Sequence, residues 1–283
     1  MEHRSRISTL VSPPAIFMFI MFVLPLGFMA LYSFRAGSFG AARETFTLDN
    51  YRDFLANAPF QRLLWRSLLI SFWVSLAAVV LSYPIAYFLV FGAGRSKLLL
   101  LTIIIVPAWV SYLLRVLAWK IILGSTGILA SFLTWIGFDL ADAPLLLYSP
   151  EAVIITLVYV WVPFVALPIF AALERIDPSL LEAAYDLGCS KFAAFLRVTL
   201  PLSLPGVLAG FLFVFIPTVG EYVTPSLVGG TEGIMFGNLI QDQFLRGLDW
   251  PTGSLMSLAM LVIVLVPLVV FSRFIKLADL AGI

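Results

Sequence analysis

Few residues of this chain are of types that perform chemistry. Its 283 residues include one cysteine, Cys189, and one histidine, His3, which excludes an internal disulfide and a metal site built from these residue types. The same count excludes Ser–His–Asp and Cys–His catalysis, because the only histidine lies in the N-terminal tail. The apolar segments contain no pair of carboxylates suited to general acid–base work. The sequence therefore predicts no catalytic residue, no metal site and no enzyme.

Three charged residues inside or at the edge of long apolar segments are the remaining chemical features. Arg115 and Lys120 lie in the third such segment, and Glu221 lies at the end of the fifth. Charges inside a membrane are expensive and are functional hypotheses by default. Glu221 and Tyr222 offer a carboxylate and an aromatic face, the two groups that hold an ammonium ion. An ion pair between Glu221 and Arg115, with a structural role only, is an equal alternative.

Aromatic residues add further candidates for the lining of a path through the membrane. Trp109 and Tyr112 are three residues apart and are predicted to share one helix face. Tyr159 and Trp161 are two apart, so they point in different directions and at most one lines a path. For each ring, anchoring at the membrane interface or simple packing is the alternative. The candidates are Trp109, Tyr112, Tyr159, Trp161, Glu221 and Tyr222.

The segments that carry these residues indicate an all-α membrane protein. Hydrophobic residues make up 61% of the chain and charged residues only 12%, against about 25% charged in a soluble domain. The mean hydropathy of +1.05 indicates more apolar surface than one core can bury. About six transmembrane helices are predicted, with the continuity of the fifth left open: 10–34, 65–91, 98–122, 151–173, 203–219 and 253–275. The first exceeds the apolar length of a signal peptide and is predicted to be a retained span.

The distribution of Lys and Arg predicts that both termini are cytoplasmic. With the N-terminus inside, nine basic residues lie on the inner side and five on the outer loops, with Arg66 at the edge of a span. The outer loops are then 35–64, 124–150 and 220–252, with short surface helices possible at Tyr51–Phe60 and Phe236–Phe244. The net charge of +1 gives no sign of nucleic-acid binding.

The inner loop 174–202 differs from the rest of the chain. It predicts a short helix with a defined start and end. Asp177 is the N-cap and Pro178 occupies the first helical position. Glu182-Ala183-Ala184 are strong helix formers, and Gly188 ends the helix. A second short helix over Lys191–Val198 is predicted to end where Pro201 intervenes. This elbow, a helix–glycine–helix turn between two spans, suits insertion into a groove on another protein.

The spacing within the elbow carries a family resemblance. The order E-A-A, three residues, G, nine residues and aliphatic-x-L-P is present as Glu182-Ala183-Ala184, Gly188 and Val198-Thr199-Leu200-Pro201. This resembles the signature of the permease subunits of ATP-binding-cassette (ABC) importers, with Val in place of the commoner Ile. The resemblance implies that the loop docks into a cleft of an ATPase subunit. The residues so implicated in coupling are Glu182, Ala183, Ala184, Asp186, Gly188, Leu200 and Pro201.

Other segments narrow the resemblance to one group of permeases. Pro107–Arg115 in the third span and Val219–Pro225 after the fifth look like the spermidine/putrescine permeases, and among them the first of the two paired types. The resemblance implies a polyamine as solute, with an opine, an amino-acid derivative or a phosphonate as alternatives. An unpaired Arg115 would repel a polyamine, so it favours either pairing with Glu221 or a zwitterionic solute.

The resemblance also implies an architecture and a set of partners. It implies the type I importer permease fold, in which a first span wraps a partner and five spans form the core. The expected divisions are a cytoplasmic tail 1–9, a first span and outer loop 10–64, a core 65–275 containing the coupling loop 174–202, and a cytoplasmic tail 276–283. The expected location is the inner membrane, in contact with lipid.

No cofactor is expected on this chain itself. The phosphate-binding pattern G-x-x-x-x-G-K-[ST] is missing from the sequence, so ATP and Mg²⁺ would be held by a separate ATPase dimer. A second, homologous permease would complete the path, and an extracytoplasmic solute-binding protein would dock on the outer loops. An ion-coupled secondary transporter is the alternative from another class, and such a protein would need no docking elbow.

Overall fold

The computed structural model describes residues 2–37, 45–137 and 146–280, with side chains from residue 12 to residue 270 within those ranges. The predicted tails 1–9 and 276–283, and parts of loops 35–64 and 124–150, therefore lie outside the described side chains. In the described part, the one β-bridge joins Arg35 and Phe46, and nearly all other regular structure is helical. The α-helices are α1 Glu2–Ser33, α2 Asp49–Ala56, α3 Ala58–Phe91, α4 Lys97–Ile105, α5 Tyr112–Leu123, α6 Ile128–Trp135, α7 Pro150–Glu174, α8 Pro178–Asp186, α9 Lys191–Ala194, α10 Leu200–Val219, α11 Phe236–Leu245 and α12 Trp250–Leu280.

Six helical stretches of the described chain are long and apolar enough to cross a membrane. This confirms the predicted all-α membrane class and the number of spans. Their bounds are Ser12–Ser33, Ala58–Phe91, Tyr112–Trp135, Pro150–Glu174, Lys191–Val219 and Trp250–Val270.

The prediction of one continuous helix over 98–122 is wrong. Helix α4 tightens into a 3₁₀ turn at Val106–Trp109, and Val110 and Ser111 are extended before α5 begins. Pro107 contributes to the break because it has no N–H to donate to the carbonyl four residues earlier. Consequently, Trp109 and Tyr112 do not share one helix face.

The fifth span is continuous with the second half of the elbow, so the prediction that Pro201 ends a separate helix is also wrong. A π-helical turn, Phe195–Thr199, joins α9 to α10, and the Leu200 N–H donates to the Phe195 carbonyl. Pro201 has no N–H and cannot donate the hydrogen bond that an α-helix needs at that position. The wider π-helical turn just before it allows the helix to continue without that bond. The stretch therefore runs unbroken from Lys191 to Val219.

The larger of two compact units comprises Arg62–Asn238 and Val264–Ile283. Its buried apolar core is formed chiefly by α3, α5, α7 and α10, and α7 packs along α10. Gly206 permits this close approach, because a Cβ there would lie 2.4 Å from the Ala172 Cβ.

The smaller unit comprises Met1–Gln61 and Leu239–Ile263. Within it, Asn50 Nδ2 donates to the carbonyls of Ser33 and Arg35 at 3.0 and 2.9 Å, which ties α2 to the end of α1. Helices α2 and α11 agree broadly with the surface helices predicted at Tyr51–Phe60 and Phe236–Phe244. The first residues of α11 are nevertheless buried, so that end of the helix is part of the larger unit's interior.

Candidate functional site

The first half of the elbow is capped as its sequence predicts. The Asp177 Oδ1 accepts a hydrogen bond from the Ser179 N–H at 2.9 Å, and Pro178 occupies the first turn of α8. Hydrogen bonds from Ser179 to its carboxylate lower the pKa of Asp177 below its usual value of 3.8. The cap is therefore strongest when this carboxylate is charged.

Gly188 ends α8 in the left-handed conformation, with φ of +83°. The Gly188 N–H donates to the Tyr185 carbonyl at 2.9 Å, and the Cys189 N–H donates to the Ala184 carbonyl at 3.0 Å. This pair of bonds is the Schellman motif, which satisfies the last carbonyls of a helix. Ser190 then caps α9 through its Oγ, so the direction of the chain across the elbow is set by local bonds.

The elbow presents both polar and apolar side chains to its surroundings. Glu182, Ala183 and Asp186 are exposed, whereas Ala184 is buried toward the rest of the unit. Leu187 and Phe192 are also exposed, at 85% and 71%. Sequence reasoning missed these two residues, although large apolar side chains beside a predicted helix end are a signal for a docking surface.

The base of the elbow is bonded to the membrane helices. The Phe195 ring meets the rings of Tyr83 and Tyr87 edge-on, each at 5.8 Å between centroids. The Tyr83 hydroxyl also shares a hydrogen bond of 2.9 Å with Ser203 Oγ. Leu200, half-buried, and the exposed Pro201 open α10 at this level. The base of the elbow thus contacts α3 and continues directly into α10.

Apart from the elbow, a cluster of polar side chains lies where α5 meets the segment after α10. The Tyr112 hydroxyl shares a 2.5 Å hydrogen bond with Thr224 Oγ1. The Glu221 Oε1 accepts from the N–H groups of Val223 and Thr224 at 2.8 and 3.1 Å. Asn238 holds the same segment by donating to the Tyr222 carbonyl at 2.8 Å. Tyr112, Glu221 and Tyr222 are predicted candidates. Thr224 and Asn238 are not, because their contacts here form only when the chain folds.

The structure does not form the ion pair between Arg115 and Glu221. Among the described side chains no carboxylate lies within 4.0 Å of Arg115, and the Glu221 carboxylate caps backbone amides instead. Arg115 is only 8% exposed; its Nη1 donates to the Val160 carbonyl at 3.3 Å, and its Nε has no hydrogen-bond partner among the described residues. Tyr112 interacts electrostatically with both side chains.

The remaining aromatic candidates lie in different surroundings. Trp109 is 87% exposed and Tyr222 is 43% exposed. Tyr159 is partly exposed and packs against Trp119 at 5.4 Å. Trp161 is half-buried among phenylalanine rings, and in the part of the chain that the structure describes its Nε1 has no hydrogen-bond partner. Tyr159 and Trp161 thus have separate neighbours, as their spacing requires.

A cavity of about 610 Å³ lies among α3, the break after α4, α5 and α7. Arg115, Trp119 and Tyr159 are the lining residues with polar atoms in their side chains. The rest of the lining is apolar: Ala77, Leu81, Ile104, Pro107, Ile154, Ile155, Val158, Val162 and Pro163.

Comparison with known proteins places most of the chain in one family. Residues 78–280 match the family described as binding-protein-dependent transport system inner membrane component. The spermidine/putrescine transport system permease protein PotB of Escherichia coli K12 is 40% identical over 84% of this chain and 86% of its own length. PotB of Haemophilus influenzae is 37% identical over 82% of this chain and 81% of its own.

Solved structures show the same fold at low sequence identity. A bacterial ABC transporter involved in the import of alginate aligns over 96% of both chains, with a TM-score of 0.71 and 18% identity. The methionine ABC transporter MetNI aligns over 78% of this chain and 98% of its own, with a TM-score of 0.58 and 18% identity.

Proposed function

We propose that this chain, which belongs to the family of inner membrane components of binding-protein-dependent transport systems, forms half of a polyamine path through the membrane. It is a permease subunit of an ABC importer. The elbow is the observation that supports this class of transporter. In it, the family's residue spacing coincides with a capped α8, a glycine turn and an exposed apolar surface. A chain that moved solute by itself would have no use for such a surface.

The proposed partner on the elbow is an ATPase dimer, which would hold ATP and Mg²⁺. The exposed Leu187 and Phe192 would enter an apolar cleft, while Glu182 and Asp186 would pair with basic groups at its edge. Closure of the ATPase dimer would then push the elbow, and the contacts of Phe195 with α3 would carry that movement into the membrane. A second permease and an extracytoplasmic solute-binding protein complete the proposed assembly.

The proposed cargo is spermidine or putrescine. Support comes from the relatives named for these polyamines, which are up to 40% identical over most of this chain. Glu221 and Tyr112 would provide a negative charge and an aromatic face for an ammonium group, and Tyr222 would provide a second exposed ring. Trp109 and Tyr159 are further proposed contacts because both have exposed rings.

The test is ATP-dependent uptake by the reconstituted importer. The four components would be placed in vesicles, with labelled spermidine, putrescine, an opine, an amino acid and a phosphonate offered separately. We expect uptake of a polyamine only with ATP and the binding protein present. Uptake of the opine or phosphonate without polyamine uptake would refute the proposal that the cargo is a polyamine. Uptake driven by an ion gradient without ATP would refute the transporter class.

A further inference from the structure

Arg115 is a buried cation without a counter-ion in the described part of this chain. Its side chain is 8% exposed and lines the apolar cavity of about 610 Å³, and its Nε has no hydrogen-bond partner. The single contact of its Nη1 is a neutral carbonyl at 3.3 Å. A buried ion is retained only where a partner compensates for its lost hydration. An anion from outside the described residues would supply that partner.

The depth of Arg115 limits where that anion comes from. Val160, whose carbonyl receives the Nη1 hydrogen bond, lies ten residues into α7, about 15 Å from the start of the helix. With the start of α7 taken as one surface of the membrane, this is about half of the roughly 30 Å hydrocarbon thickness of a bilayer. Phospholipid phosphates lie at the two surfaces of the bilayer, so a phosphate does not reach this level. A carboxylate on a membrane-spanning helix can lie at this level.

Nearby groups in the described part of this chain do not supply the charge. The Glu221 Oε1 is already occupied by two backbone amides, and the Tyr112 hydroxyl is bonded to Thr224. Lys120, farther along α5, is a second cation and lies 5.9 Å from the Tyr148 ring. An uncompensated Arg115 in the wall of a path would also repel a polyamine.

We propose that an Asp or Glu side chain of the second permease enters this cavity and forms an ion pair with Arg115 at the middle of the membrane. The inference rests on the proposed function, because it needs a paired permease. The guanidinium would donate from its Nε and a terminal nitrogen to the two oxygens of the carboxylate, the bidentate arrangement that arginine favours. Trp119, which also lines the cavity, would exclude lipid from the pair. The ion pair would thus set which permease assembles with this chain and would neutralise the wall of the path.

Photo-cross-linking in the assembled importer tests this directly. p-Benzoylphenylalanine would replace Ile155 in the cavity wall, and the same amino acid at the exposed Val262 would serve as a control. We expect the Ile155 position to cross-link to a membrane segment of the second permease that contains an Asp or Glu, identified by mass spectrometry. Cross-links to phospholipid alone, or to segments without a carboxylate, would overturn the proposal.

Charge reversal gives an independent test. Arg115→Glu and Arg115→Gln should each retain on the order of tenfold less second permease on purification, whereas Arg115→Lys should retain more than either. Replacing the correct carboxylate of the second permease by Arg should restore assembly with Arg115→Glu. Lys120→Glu is the matched control on the same helix and should assemble normally.

The outcomes separate this inference from the proposed function. If wild-type chain retains no second permease at all, the proposed assembly itself is refuted. If wild type and Arg115→Gln retain it equally, only the ion pair is refuted. If Arg115→Glu fails to accumulate in the membrane, the Ile155 cross-link decides the question, because that protein keeps Arg115.

Discussion

Glu221 combines two roles that a substitution can separate. Its Oε1 accepts hydrogen bonds from the amides of Val223 and Thr224, and its charge is proposed to attract an ammonium group. Glu221→Gln keeps an acceptor oxygen at this position and removes the charge. We expect uptake to fall roughly tenfold or more, because a hydrogen bond to a charged group contributes about 1.5–3 kcal/mol. Labelled polyamine uptake measures this, while the amount of co-purified partner should be unchanged.

The control for this substitution is Glu232→Gln, since the Glu232 side chain is 75% exposed and pairs with Arg66 rather than with the polar cluster. Normal uptake by the Glu221→Gln importer would remove Glu221 from the substrate path. Equal losses in both variants would indicate a general effect of charge at this end of the molecule.

Asp177 gives the elbow a dependence on pH whose sign follows from its hydrogen bonds. Because the folded pKa lies below the usual value, the cap adds stability above the unfolded pKa and loses it as the pH falls through the folded pKa. Asp177→Ala should speed hydrogen exchange of the Ser179 amide at neutral pH, and Asp177→Asn should change it much less. Mass spectrometry of peptides from α8, corrected for intrinsic exchange, measures both variants.

The comparison across pH is the sharper part of this prediction. The wild type should lose protection of the Ser179 amide when the pH is lowered below about 4, near the ordinary pKa of aspartate. Asp177→Asn should show no such step, because its amide does not titrate in this range. The same step in both proteins would mean that another group controls the cap.

At the scale of the elements, two glycines test conformation and space separately. Gly188 has φ of +83° and open space where a Cβ would stand, so Gly188→Ala costs backbone strain alone, about 1 kcal/mol. At Gly206 the constraint is space instead, because an added Cβ would lie 2.4 Å from the Ala172 Cβ and 2.6 Å from the Pro168 carbonyl oxygen. Gly206→Ala should therefore destabilise the packing of α7 on α10, by roughly 1–3 kcal/mol.

The two substitutions should change different measured properties. Gly188→Ala should leave the unfolding temperature of the larger unit nearly unchanged and reduce the ATPase activity that transport substrate stimulates. Gly206→Ala should lower the unfolding temperature. A large drop in unfolding temperature for Gly188→Ala would show that the elbow is part of the core rather than a surface joint.

Local signals made the elbow predictable from the sequence. Asp177, Pro178 and Gly188 act through bonds to residues within a few positions, so their roles are encoded in short segments. The number of spans was equally accessible, because it depends on apolar length. The prediction that the second helix of the elbow ends where Pro201 intervenes was wrong, because a π-helical turn joins α9 to α10.

Features that depend on contacts between distant segments could not be predicted. The extended backbone at Val110 and Ser111 lies inside a continuous apolar run, and proline occurs within other spans, such as Pro84 in α3, without such a break. The absence of the Arg115–Glu221 pair, in contrast, has a local cause. Glu221 finds amides two and three residues away, which are closer in sequence than any cation.

At the scale of the whole molecule, α7 connects the two regions proposed to act together. Its last residue, Glu174, forms an ion pair with Lys97 beside the elbow, and its middle supplies the carbonyl that Arg115 contacts. The same helix packs along α10, which continues from the elbow without a break. The proposed movement of the elbow would therefore have a continuous helical connection to the cavity, through α10 and the α7 helix that packs along it.

The single cysteine offers a test of orientation in the natural sequence. Cys189 is partly exposed in the elbow, at the end of the molecule predicted to be cytoplasmic. A membrane-impermeant maleimide should leave Cys189 unlabelled in intact cells with a permeabilised outer membrane and label it in inverted vesicles. Gel shift of the labelled chain measures the modified fraction, and Cys189→Ser should remove the signal.

The opposite end provides the matched control, because Glu232 is strongly exposed there. In a Cys189→Ser, Glu232→Cys protein the labelling pattern should be reversed, with modification in the cells and none in the vesicles. Bound ATPase should also slow labelling of Cys189 in the vesicles and leave Glu232→Cys unaffected in the cells, since the elbow is the proposed docking surface. Labelling of Cys189 from outside the cell would invert the proposed topology, and an ATPase in the cytoplasm could then not reach the elbow.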